Sequence, residues 1–157
     1  MLQKTAVELF LDELAIPYQS IQFIRDQPNV PVRSEPTVSW EKVYKTLALT
    51  GKRTGPVIAV VPVQARMSYK KLAKVSGNRS VGMVDNEKLI ATTGYEHGAN
   101  NPVGIWRNKG YPIFFDEKAR HQCQICVSSG EVGRAMLVDT LSLADLVHAQ
   151  FSDLLES

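Results

Sequence analysis

Near the N-terminus, apolar positions recur at helical spacing. Val7, Phe10, Leu11 and Leu14 fall at i, i+3, i+4 and i+7, one face of an amphipathic helix that Pro17 must end. Residues 18–24 alternate well enough for a strand. Residues 26–39 carry Pro28, Pro31 and Pro36 among polar neighbours, and read as a loop long enough to form a flap.

Beyond Trp40 the pattern turns to β. Residues 46–50 predict a short strand and residues 51–55 its turn. Residues 56–63, almost wholly apolar and β-branched, predict a central buried strand. Ser68 is placed to cap a short helix through Val75, with Leu72 and Val75 inward and Lys70, Lys71 and Lys74 outward. A strand is expected at 81–84 and a second short helix at 85–91. Residues 92–111, rich in glycine and asparagine, read as a long loop. Three further strands are expected at 112–115, 122–127 and 134–138. Leu143, Leu146, Val147, Phe151 and Leu154 then share a helical face behind a Ser142 cap. Short strands interleaved with short helices predict an α+β fold around a mixed, barrel-like sheet.

A chain of 157 residues is expected to form one domain, spanning 1–157, that buries a core without staples. The N-terminal segment carries Lys4, Glu8, Asp12 and Glu13, so no signal peptide is expected. No uncharged run approaches the roughly 20 residues that cross a bilayer. Two cysteines imply no disulfide framework, and the cytoplasm is the expected compartment. A net charge of +2 leaves nucleic-acid binding open.

The usual hydrolytic machinery is missing. The chain has no G-x-S-x-G, H-E-x-x-H, P-loop or strand-following G-x-G-x-x-G. Cys123 and Cys126 form a C-x-x-C behind His121, but no second such pair completes a zinc site. One cysteine is expected in the core and one outside, with no metal or cofactor bound. His148 is read as a surface residue, and His97 as a loop histidine with general-base chemistry as the sharper alternative.

Three segments stand out. Tyr44-Lys45-Thr46-Leu47 sets a lysine where a strand begins. Gly98 to Pro102, followed by Gly104, is a G-x-x-x-P loop. Val127-Ser128-Ser129-Gly130 leaves a buried strand into a small-residue turn. Together with Val60 to Val63, Lys70 to Lys74, Thr93-Gly94-Tyr95 and Asp116, their order resembles the YbaK/EbsC family. That family, also called the prolyl-tRNA synthetase-associated domain family, includes Cys-tRNA(Pro) deacylases.

The resemblance implies an aminoacyl-tRNA deacylase acting in trans on the 3′ end of mischarged tRNA, with prolyl-tRNA synthetase as a possible partner and no membrane association. It implies catalytic roles for Lys45 and Gly98, and substrate contacts from Phe23, Tyr44, Pro102, Gly104, Ser128, Ser129 and Gly130. For cysteinyl esters it implies a substrate-assisted route in which the substrate's own thiol attacks. At two positions the chain departs from the deacylase pattern. Phe23 stands where a tyrosine is usual, and Ala135 where an aspartate is, with Asp139 four residues too late. A different amino-acid specificity, or a non-catalytic binding module, accounts for both departures. Lys70, Lys71 and Lys74 beside Lys52, Arg53 and Arg66 are either a docking surface for the acceptor stem or ordinary solvated faces.

Overall fold

The computed structural model describes residues 2–157. The N-terminal helix α1 (Ala6–Glu13) starts at a full capping box: Thr5 Oγ1 accepts from Glu8 N–H at 3.1 Å, and Glu8 Oε1 accepts from Thr5 N–H at 2.8 Å. Val7 and Leu11 are buried as the spacing predicts, whereas Leu14, past the helix end, is exposed.

Strand β1 (Tyr18–Ile24) follows. The predicted flap contains strand β2 (Arg33–Glu35), which pairs antiparallel with β1 and tacks the segment to the sheet edge. Next come β3 (Tyr44–Gly51) and β4 (Gly55–Pro62), an antiparallel hairpin in which Val57 to Val61 are fully buried. Helix α2 (Tyr69–Ser76) is capped by Ser68 as expected, and Leu72 packs inward. Strand β5 (Gly82–Met83) and helix α3 (Asn86–Thr93) match their predicted places.

The supposed loop at 92–111 contains helix α4 (Pro102–Lys109). Asn101 caps it, Pro102 occupies its first turn, and Gly110 ends it at φ 72°. Strands β6 (Ile113–Asp116), β7 (Gln124–Ser128) and β8 (Arg134–Asp139) lie close to their predicted positions. The predicted C-terminal helix is shorter than its apolar pattern. Asp139, not Ser142, caps α5 (Thr140–Leu146), and His148 turns the chain at φ 55° into strand β9 (Gln150–Ser152). Phe151 and Leu154 therefore reach the core from extended chain, and β9 pairs parallel with β6.

The α+β class holds, but the strands form two sheets rather than a closed barrel. One sheet has the order β2-β1-β8-β7, and the other β5-β3-β4-β6-β9. They meet at an isolated parallel bridge between Val43 and Cys126. Helices and loops complete a core on both faces of the β3–β4 hairpin. Tyr44, Ala48, Ile58 and Val60 face one cluster, while Leu49, Val57, Ala59 and Val61 face the other with Leu72 of α2.

Two buried carboxylates pin distant segments. Asp116 Oδ1 accepts from Leu154 N–H at 2.9 Å, holding the C-terminal segment. Glu8, wholly buried, pairs with Arg134 of β8 at 3.2 Å and also accepts from the Ser20 hydroxyl. Removing one partner of a buried pair strands the other charge. Glu8→Ala should therefore lower the unfolding free energy by roughly 3–5 kcal/mol, with a smaller loss for Glu8→Gln, as read by urea denaturation.

The cysteines divide as expected: Cys123 is exposed and Cys126 buried, its thiol pushed up to about 12 by burial. A thiol reagent near pH 8 should thus label Cys123 alone in the folded chain and both in denaturant.

Candidate active site

The hairpin's register decides which groups of β3 stay free. Val63 N–H donates to Val43 O at 2.9 Å, so Lys45, Leu47 and Leu49 likewise turn their main chain toward β4. The opposite parity fits two prolines. Pro62 and Pro56, which have no N–H to give, lie across from Tyr44 and Thr50. Tyr44, Thr46 and Ala48 consequently aim their main-chain groups away from β4. Ala48 O is taken by Val84 N–H at 3.1 Å, and Thr50 pairs with Gly82 of β5. On the other side, β7 touches β3 at the Val43–Cys126 bridge and then diverges. Between these two contacts the edge of β3 is open, with the N–H and C=O of Thr46 at its centre.

A cavity of about 330 Å³ fills that gap. Residues 44–48 of β3 form one wall. Phe23, Cys126, Ser128 and Ala135 of the other sheet form the facing wall, and Val84, Leu89, His97, Gly98 and Asn100 close the end. The facing wall is largely apolar, with Ile21 and Val43 packed behind it. Phe23 is braced by stacking on Trp40, with ring centroids 5.7 Å apart.

Of the nine residues to which the resemblance gives a role, five meet at this cavity, namely Phe23, Tyr44, Lys45, Gly98 and Ser128; His97 and Ala135, also noted in the sequence, line it too. Lys45 leaves β3 on the Leu47 face, and its Nζ donates to Ala65 O at 2.9 Å, which leaves two N–H donors free. Tyr44 is buried, its hydroxyl pushed up to about 12 by burial and by the negative charge of Asp116. Ser128 Oγ accepts from Gly130 N–H at 3.1 Å.

Gly98 holds φ 88°, a conformation that costs a residue with a Cβ. Its loop is tied from both ends. The Thr93 hydroxyl contacts Asn100 Oδ1 at 2.7 Å, and Asn101 Nδ2 donates to Ala99 O at 3.1 Å.

The other four lie behind the wall. Pro102 and Gly104 are buried in the first turn of α4, where a Cβ at Gly104 would fall 1.8 Å from the Tyr95 hydroxyl oxygen. Gly130, at φ 102°, lets Tyr95 and Val7 pack against the 128–130 turn, and Ser129 is buried beneath it. These residues shape the loops rather than the cavity surface.

Thr46, Asn100 and Arg134 also line the cavity, although no motif marks them. The Thr46 hydroxyl is buried without a hydrogen-bond partner. A signal for it existed: Pro56 and Pro62 share a parity, and that parity places Thr46 on the unpaired edge. Among the described residues, no cluster of three or more His, Cys, Asp or Glu is placed to hold a metal, and no helix is long and apolar enough to cross a membrane.

Known proteins resemble the chain in sequence and in fold. A protein of Enterococcus faecalis, named provisionally as the Cys-tRNA(Pro)/Cys-tRNA(Cys) deacylase EbsC, is 33% identical over 155 residues, 97% of this chain and 93% of that one. A proline–tRNA ligase of Thermosipho africanus is 28% identical over 102 residues, 65% of this chain and 16% of the ligase. Among solved structures, one described as a trans-editing enzyme for prolyl-tRNA synthetase shares the fold at TM-score 0.70 and 22% identity, covering 76% of this chain and 74% of that one. A hypothetical protein does so at TM-score 0.79 and 18% identity, covering 96% and 99%. The profile of the aminoacyl-tRNA editing domain matches residues 32–146, and the chain belongs to that family.

Proposed function

We propose that residues 1–157 form one editing domain that deacylates mischarged tRNA in trans, in the cytoplasm, with prolyl-tRNA synthetase as a possible partner. The observation that carries this reading is the open edge of β3. It faces an apolar cavity with one unpartnered hydroxyl, a lysine at the rim and a tied glycine loop opposite. An aminoacyl ester is already activated, so positioning and stabilisation of the developing oxyanion suffice for hydrolysis.

In this reading Lys45 anchors the terminal nucleotide through the donors that Ala65 leaves free. The N–H groups of the Gly98 loop meet the ester carbonyl, and Thr46 and Ser128 hold polar groups of the aminoacyl moiety. Water adds to the carbonyl carbon and the C–O bond to ribose breaks. The products are the amino acid and a free 3′ hydroxyl. A cysteinyl ester has a second route, in which its own thiol attacks and leaves as a cyclic thioester.

About 330 Å³ is near the lower limit for small-molecule sites, room for an aminoacyl group more than for a whole nucleotide. Phe23, Cys126 and Ala135 bring no charge to the facing wall, and Arg134, the cation beside them, is paired with Glu8, so a small uncharged side chain fits there best. Two of these, Phe23 and Ala135, favour a second reading as a binding module, since each lacks the polar group usual in deacylases.

Deacylation of Cys-tRNA(Pro) and Ala-tRNA(Pro) separates the two. Rapid release by wild type, cut roughly 10²-fold by Lys45→Ala through loss of substrate positioning, is the expected result. No release from any of a panel of mischarged tRNAs by folded protein favours the binding module instead.

Thr46→Val tests the hydroxyl without leaving a void. Replacing an unpartnered buried hydroxyl by a methyl should leave stability unchanged or raise it by about 1 kcal/mol. Deacylation should nevertheless fall roughly tenfold, by the loss of one hydrogen bond to substrate. Unaltered rates would remove Thr46 from the site.

A further inference from the structure

The small net charge of +2 conceals a strong segregation. Nine of the chain's 18 lysines and arginines lie between Lys42 and Arg79, a span that contains none of its 16 aspartates and glutamates. The remainder of the chain is accordingly acidic. Folding gathers the outer part of this span onto one face. Asn78, 7% exposed, clamps the β3–β4 turn to the end of α2: its Oδ1 accepts from Arg53 N–H at 2.9 Å and Thr54 N–H at 3.2 Å. Arg53 Nη1 in turn donates to Ser76 O at 3.2 Å. Lys52 and Arg53 of the turn are thereby set beside Lys74 in the last turn of α2 and Arg79 just beyond it. Lys70 shares the exposed face of α2 with Lys74, one helical turn away.

Not every cation nearby belongs to the patch. Lys71 is occupied by Asp153 at 2.7 Å, and Arg66 faces Glu156 at 3.7 Å. Lys52, Arg53, Lys70, Lys74 and Arg79 are exposed, and none of them forms an ion pair among the described residues. A cluster of cations about a rigid clamp, none of them held in an ion pair among the described residues, suits a ligand with repeated negative charge.

We infer that this face, formed by the β3–β4 turn and the outer side of α2, docks the phosphate backbone of a tRNA acceptor stem. The inference rests on the deacylase reading for its choice of partner. Strand β3 links the two sites: Lys45 stands at its cavity end and Lys52 just beyond its far end, roughly 20 Å along the strand. The unpaired 3′ nucleotides of a tRNA span that interval, so the ester enters the cavity while the duplex rests on the cations.

The test uses the variant Lys52→Gln/Lys70→Gln/Lys74→Gln/Arg79→Gln, which spares Arg53 because of its bond to Ser76. Circular dichroism and a thermal melt check its fold. Two substrates are compared with wild type: an uncharged minihelix with an acceptor stem and 3′ CCA end, and a short aminoacyl-CCA ester with no duplex. Minihelix binding by fluorescence anisotropy should weaken at least tenfold at low salt, and the slope of log affinity against log salt should fall by up to about 4. Hydrolysis of the short ester should not change. Equal minihelix affinity and equal slope for both proteins, or no minihelix binding by wild type, overturns the docking surface. Failure of wild type to hydrolyse the short ester or any charged tRNA strikes the deacylase reading instead, and the binding comparison still decides the surface.

Discussion

Strand β3 is paired along its whole length with β4 but only at its two ends with anything on its other side. Buried main-chain groups are nearly always hydrogen-bonded, so an unpaired stretch in a sheet interior persists only where something else meets it. Here the two sheets diverge past the Val43–Cys126 bridge, and the gap is filled by a cavity instead of a strand. The cavity follows from where β7 leaves β3, and its polar centre follows from the parity of Pro56 and Pro62. Sliding β3 by one residue would aim Lys45 and Leu47 into the gap and bury Thr46 against β4.

The surrounding elements keep that divergence in place. Arg134 begins β8 beside the cavity wall and is held by the buried Glu8 of the α1 capping box, so the N-terminal helix is part of the wall's support. At the closed end, Thr93 and Asn101 tie the loop that presents Gly98, while Gly104 and Gly130 make room for the Tyr95 ring between α4 and the 128–130 turn. Side chains that never reach the cavity thus fix the groups that do. This is why a sequence pattern can mark both kinds alike.

Much of the fold was legible because burial imposed periodicity. The uniform apolar run of β4, the capped stripe of α2 and the spaced residues of α1 each have one physical explanation. Two segments did not. Around α4, glycine and asparagine masked a helix whose Asn101–Pro102 start and Gly110 stop are themselves helix signals. After α5, Phe151 and Leu154 continued a helical spacing only by coincidence, since the edge of β6 offered main-chain pairing that recruited β9. At the site, Lys45 and Gly98 were legible through a resemblance. Thr46 was legible only in part: the parity of Pro56 and Pro62 turns its main chain away from β4, but nothing local says what meets it on the other side. That depends on where a strand 80 residues away in sequence departs, a long-range fact no local pattern encodes.

Charge and chemistry are divided between two places in the fold. Phe23, Cys126 and Ala135 on the facing wall carry no charge, burial keeps the Cys126 thiol protonated, and Arg134 beside them is paired with Glu8. Cations stand instead at the rim, in Lys45, and along the far end of the same hairpin. Such a division suits a substrate whose small, already activated ester is attached to a large polyanion. In the proposed reading, attraction for the polyanion, spread over exposed cations, would bring the ester to a cavity that holds no unpaired carboxylate or guanidinium. N–H groups fixed inside a poorly solvated space would each count for more than in water. On that reading, binding of the polymer and handling of the ester would vary separately: the loop and facing wall would set which amino acid fits, and the hairpin what carries it.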